Sequence, residues 1–276
     1  AWFVSRLDAA AVRAALSAPG WVLAATALYA VGHVANGEAW RGLVNAGGAR
    51  VSFGGMVRHE LTSLFWGTVL PGGVSGEVVK GIRVAREGAG AQAAAVGLVA
   101  ARVVSGTTTC LLGAACLPAS GYPARAAIAG GLLACAAGGV ALLAGLRYAP
   151  DLPPLDRLPR GPLPDLRALA VAAAWSTLAR ALFVGVFVCC FGAAGRPLGL
   201  ADATVTSALV ALAQLLPVTL GGYGVRELTI GGLGRLFAPG AVADAAAVVL
   251  GLLVSVTVLA GAAAEAARSR GATDGS

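Results

Sequence analysis

Long apolar stretches separated by short polar loops set the pattern of this chain. Residues 91–117 carry one charge, Arg102; 126–146 carry none; 168–194 carry one, Arg180; 241–264 carry one, Asp244. Each reaches the roughly 20 apolar residues that a membrane-spanning helix needs. A fifth run, from Trp21 to about Asn36, starts after Pro19-Gly20 and has a polar exit with His33 near its end. Two further runs are too short to span. Residues 61–70 follow Arg58-His59-Glu60 and stop at Pro71-Gly72-Gly73, and residues 204–216 stop at Pro217 and then Gly221-Gly222. A second short helical stretch follows each stop, Glu77 to Arg86 and Tyr223 to Phe237. A ten-residue helix rises about 15 Å, half the hydrocarbon core, so both pairs read as broken or re-entrant helices meeting near the membrane middle.

The two stops resemble each other. Leu70-Pro71-Gly72-Gly73-Val74-Ser75-Gly76-Glu77-Val78-Val79-Lys80 lies over Leu216-Pro217-Val218-Thr219-Leu220-Gly221-Gly222-Tyr223-Gly224-Val225-Arg226 without a gap. Leu, Pro, Gly and Val recur at four offsets and a basic residue at a fifth. The predicted fold is therefore an all-α integral membrane protein. It is a polytopic bundle of about five full spans plus two broken helix pairs arranged as an inverted repeat. Its first half covers 1–148 with a broken helix at 61–88. A proline-rich cytoplasmic linker covers 149–166. The second half covers 167–266 with a broken helix at 203–237, and 267–276 is expected to be a disordered tail.

Composition supports the membrane reading. Charged residues are 12% of 276, half the roughly 25% of a soluble domain, and mean hydropathy is +0.81. Net charge is +7, but the basic residues sit in many short loops. That is a pattern of orientation in a bilayer rather than a nucleic-acid patch. Arg41, Arg50, Arg58, Lys80, Arg83, Arg86 and the linker arginines mark one side as cytoplasmic. Three full spans between the stops then make the first broken segment enter from the cytoplasm and the second from outside. The opening Trp2-Phe3-Val4 reads as the tail of a preceding helix. All five cysteines (Cys110, Cys116, Cys135, Cys189, Cys190) lie in apolar runs without metal spacing and read as packing.

The candidate chemistry is sparse. There are two histidines, and no HExxH, GxxxxGK[ST] or GxSxG motif. No metal, ATP or other cofactor is expected, and no catalytic residue is assigned. The glycine-rich stops carry the strongest signal. Gly72, Gly73 and Gly76, and Gly221, Gly222 and Gly224, allow positive φ and close backbone approach. The helix after each stop offers N–H groups and a positive dipole end to an anion. Lys80 and Arg226 would complete that site, and Glu77 and Glu227 would balance charge or carry a proton. Arg102 and Arg180, buried in mid-span, would each cost about 2.5–3.5 kcal/mol if unpaired. Arg102 is taken into the binding set; the partners of both are open. Arg58-His59-Glu60 reads as a solvated helix start or as the cytoplasmic mouth of a pathway. His33 reads as a hydrogen-bonded helix-end histidine. Gln214 is placed to bond backbone freed at the second stop.

At these motifs the chain resembles the lysylphosphatidylglycerol synthase transmembrane region family, also called the flippase-like membrane domain family. The string at 70–80 looks like that family's LPxxxGGDxxR-type signature. Leu-Pro-Val-Thr-Leu-Gly-Gly-Tyr-Gly-Val-Arg-Glu-Leu at 216–228 looks like its LPxxxGGxGxRE signature. Trp40-Arg41 and Arg102 fit the pattern too, and the similarity covers about residues 5–265. Glu77 and Lys80 keep the charge of the family's usual Asp and Arg. Ser75 replaces a frequent Gly, and Ala101 stands where an acidic residue commonly precedes Arg102. The resemblance implies lipid work in a bacterial inner membrane: binding and translocation of an anionic lipid. No aminoacyl transferase domain is expected on this chain, so a lysyltransferase label inherited from the family is not expected to describe its chemistry. Partners implied are an anionic membrane lipid, a second copy of the chain or a separate lipid-modifying enzyme, and no nucleic acid. Two other readings stay open. One is a membrane-embedded transferase or accessory subunit of lipid or envelope-glycan synthesis. The other is a structural partner that recruits a soluble enzyme.

Overall fold

The computed structural model describes residues 9–70, 75–148, 163–214 and 225–273, and every regular element within them is a helix. The helices are α1 (Ala9–Leu16), α2 (Pro19–Ala46), α3 (Phe53–Val69), α4 (Ser75–Val84), α5 (Ala91–Cys116), α6 (Arg125–Tyr148), α7 (Leu166–Ala193), α8 (Leu200–Ala213), α9 (Val225–Gly234) and α10 (Gly240–Thr273). A π-helical turn, Ala85–Ala89, extends α4.

Local chemistry explains the ends. Pro19 starts α2, where a missing N–H costs nothing. Ser52 caps α3 by accepting from the Gly55 N–H at 3.1 Å, and Asp165 caps α7 by accepting from the Ala168 N–H at 2.7 Å. Among the described residues, four helices are long and apolar enough to cross a membrane: Ala91–Ala119, Arg125–Tyr148, Leu166–Ala193 and Gly240–Arg268. The pair α1 and α2, bent by 75°, makes a fifth if it counts as one span. The chain is thus an all-α, multi-pass membrane protein.

Three expectations change. The fifth apolar run does not exit at Asn36: α2 continues to Ala46, so His33 is mid-helix. Arg58-His59-Glu60 is no solvated helix start, because α3 begins at Phe53 and buries His59 and Glu60. The expected tail at 267–276 is helical through Thr273. The proline-rich stretch lies outside the described residues over 149–162.

Both halves run long, short, short, long. Helices α2 to α5 have 28, 17, 10 and 26 residues, and α7 to α10 have 28, 14, 10 and 34. The halves interleave instead of forming two lobes. Helix α2 packs along α7, the most extensive helix contact in the molecule; α3 packs on α10, and correspondingly α8 packs on α5. Helix α6 sits outside, resting mainly on α5.

Between apolar helices in lipid, close packing replaces the hydrophobic drive, and α3 shows how. A Cβ on Gly76 of α4 would run into the Ser63 carbonyl of α3, and a Cβ on Gly261 of α10 would run into the Leu61 carbonyl. Gly76 sits in the first turn of α4 without positive φ. Its value is close approach, not conformational freedom. Gly76→Ala is expected to cost about 1–3 kcal/mol through overpacking, seen as a lower unfolding midpoint in detergent. Gly42→Ala, with nothing within 4 Å of the new methyl, is expected to be neutral or stabilising because Ala is the better helix former.

Candidate functional site

A cavity of about 410 Å³ lies where eight helices converge. Its walls include Tyr29, His33 and Asn36 of α2, Glu60 and Ser63 of α3, Arg102 and Thr109 of α5, and Arg180 and Phe183 of α7. Gly76 and Glu77 open α4 onto it, and Arg226 opens α9 onto it. Thr68 and Gln214, near the ends of the helices leading into the two stops, also face it. The first turns of both short helices therefore address one space. Each offers N–H groups without intrahelical acceptors and a positive dipole end.

The charges there are arranged in two layers. Lys80 is almost fully buried and lies 2.8 Å from Glu60 and 3.2 Å from Glu77. Its ammonium also sits 4.8 Å from the centre of the Trp40 ring, a favourable cation–π position. Glu60 in turn accepts from Asn36 Nδ2 at 3.1 Å and is 3.3 Å from His33 Nδ1. Lys80 is thus engaged by carboxylates behind the cavity wall. The arginines form the other layer. Arg180 stacks its guanidinium 4.9 Å from the Phe183 ring centre, and its Nε is buried without a hydrogen-bond partner among the described residues. Arg102 lines the same cavity. Arg226 is buried at the start of α9. Among the described side chains, four cations (Lys80, Arg102, Arg180, Arg226) meet two carboxylates (Glu60, Glu77).

A separate belt of ion pairs ties α3 to the π-helical turn and α4 to α10. His59 Nε2 lies 2.9 Å from Glu87 Oε2, and Arg83 lies 2.6 Å from Glu265. Arg83, counted on the cytoplasmic side from the sequence, is buried at this pair. On the far side, the Gly121 N–H donates to Asp202 Oδ1 at 2.7 Å, and Tyr122 shares a 2.7 Å bond with Thr206, fixing the start of α8.

Of the residues singled out in the sequence, Gly76, Glu77, Arg102 and Arg226 line the cavity and Lys80 stands behind it. Gly72, Gly73, Gly221, Gly222 and Gly224 lie outside the described residues, as does the side chain of Glu227. Gln214 bonds its own helix, donating to the Val210 carbonyl at 3.4 Å. Sequence reasoning left Glu60, His33, Asn36 and Arg180 out of the site. The available signal was their polarity inside apolar stretches; what was lacking was the direction each one faces. Among the described residues, no group of three or more His, Cys, Asp or Glu could hold a metal ion. All five cysteines are free thiols.

Comparison with known proteins gives one match. A family model described as "Lysylphosphatidylglycerol synthase TM region" matches residues 1–261. No curated protein and no solved structure matches.

Proposed function

Since the chain belongs to the lysylphosphatidylglycerol synthase TM region family, we propose that it binds the headgroup of an anionic lipid in the cavity between the two helix stops and lets it cross a bacterial inner membrane. The observation that carries this reading is the arginine layer: Arg102, Arg180 and Arg226 line one cavity onto which the first turns of both short helices, α4 and α9, also open. Guanidinium groups match phosphate oxygens with paired donors. In a low-dielectric site their attraction for an anion far exceeds its value in water. A volume of about 410 Å³ falls within the range of about 300–1,000 Å³ for ligand pockets and suits a glycerophosphate headgroup.

Passage needs a route to both leaflets. An inverted pair of repeats would supply it by rocking one half against the other. The matching order of helix lengths and the paired contacts, α3 with α10 and α8 with α5, support that arrangement. The sequence has no ATP loop, so movement would be downhill or coupled to an ion gradient.

The test is lipid translocation in liposomes holding the purified full chain. Head-labelled phosphatidylglycerol and a polyprenyl phosphate are followed with and without a pH gradient, beside a neutral labelled diacylglycerol. Faster crossing of an anionic lipid than in protein-free vesicles is expected. No acceleration of either anionic lipid by folded protein would overturn the reading.

A further inference from the structure

The polar cavity has an apolar neighbour. A groove of about 620 Å³ runs between α4 and α5. Glu77 and Arg102 line both spaces, so the groove opens where the cavity ends. Beyond that junction its walls are Val78 and Ile82 on α4, and Ala95, Leu98 and Val99 on α5, with Arg86 at the far end. Resting on the headgroup reading above, we propose that this groove seats one hydrocarbon chain of the same lipid whose phosphate the arginines hold.

Three features support that occupant. The α5 wall runs from Ala91 to Arg102, a rise of about 16 Å at 1.5 Å per residue. That is about half of the ~30 Å hydrocarbon core, the depth of one leaflet. The polar groups stand only at the two ends, as a chain with a charged head requires. Arg102 is at the junction, where the head meets the tail, and Arg86 lies in the π-helical turn at the other end. The floor is made by close approach: a Cβ on Gly81 would come within 2.6 Å of Leu98 Cδ1, so α4 and α5 nearly touch there. Val78 and Ile82 are exposed along the same face, open to the lipid side. A chain can therefore enter sideways while its head slides past Glu77 and Arg102. A freely exchanging bulk lipid would show no dependence on its headgroup; a seated substrate chain would.

The experiment uses that difference. The full chain in lipid nanodiscs is labelled with phosphatidylglycerol carrying a mid-chain diazirine, and separately with a diacylglycerol carrying the same group. The sites are read by mass spectrometry. Preferential labelling of 78–86 and 91–102 by the anionic probe is expected, about tenfold over the neutral one, the ratio given by one good polar contact. Val99→Trp and Ala91→Trp, filling the middle and the far end, are expected to abolish that labelling and slow phosphatidylglycerol translocation about tenfold. Binding of chainless glycerol phosphate should stay within about twofold in both variants. Equal labelling by both probes, or anionic labelling confined to other helices, overturns the groove. If translocation is intact when that happens, the headgroup reading stands alone. If the wild type neither translocates nor binds glycerol phosphate, the headgroup reading falls as well.

Discussion

Lys80→Met is expected to destabilise the protein by about 3–5 kcal/mol, the scale for breaking a buried ion pair on one side. The ammonium is held between Glu60 and Glu77 at 2.8 and 3.2 Å and over the Trp40 ring. Glu60 itself is 6% exposed. Removing the cation leaves a carboxylate with, among the described residues, only Asn36 and His33 beside it, in surroundings that cannot solvate it. A protein stable by about 5–15 kcal/mol loses a large share of its margin that way. The measurement is the thermal unfolding midpoint in detergent. Lys80→Met/Glu60→Gln is expected to regain more than half the loss, because neutralising both partners removes the stranded charge. An unchanged midpoint in the single variant would show that Lys80 is not the fixed counter-charge of this wall.

The arginine layer should behave in the opposite way. Arg180→Gln/Arg226→Gln is expected to cut translocation of an anionic lipid by about 100-fold or more. Each lost charge-assisted hydrogen bond is worth about 1.5–3 kcal/mol. Arg180→Gln alone should leave the unfolding midpoint unchanged or raise it. Its Nε is buried without a partner among the described residues, and it shares the cavity with a second arginine, Arg102. A residue held against its own stability is the usual mark of a functional site. If Arg180→Gln unfolds the protein as Lys80→Met does, the guanidinium is structural. If the double variant transports normally, the arginine layer does not hold the headgroup.

These two results would separate what looked alike in the sequence. Lys80 and Arg226 stand at matching offsets of two similar strings and read as two halves of one anion site. The fold places them differently: Arg226 lines the cavity, while Lys80 lies behind its wall, where α3 brings Glu60 to it across 20 positions of chain. That encounter needs α4 to fold back onto α3, which Gly76 permits by letting the two backbones touch.

The sequence by itself determined the class, the apolar runs long enough to span and the family resemblance. These depend on composition and on local spacing: apolar length sets what can span, and proline with glycine sets where a helix must stop. Observed spans begin and end within a few residues of the apolar runs, except where α2 and α10 run on through polar residues. Only the tertiary structure decided which way the polar side chains face. In a soluble helix the polar stripe marks the outer face. In α7, α8 and α10 both faces are apolar, since lipid and the protein interior are equally so. A lone Arg180 then has a depth but no readable direction. His33, Asn36 and Glu60 became one cluster only when α2 and α3 were packed together. The site rests on contacts between helices distant in sequence, and no local pattern along the chain records them.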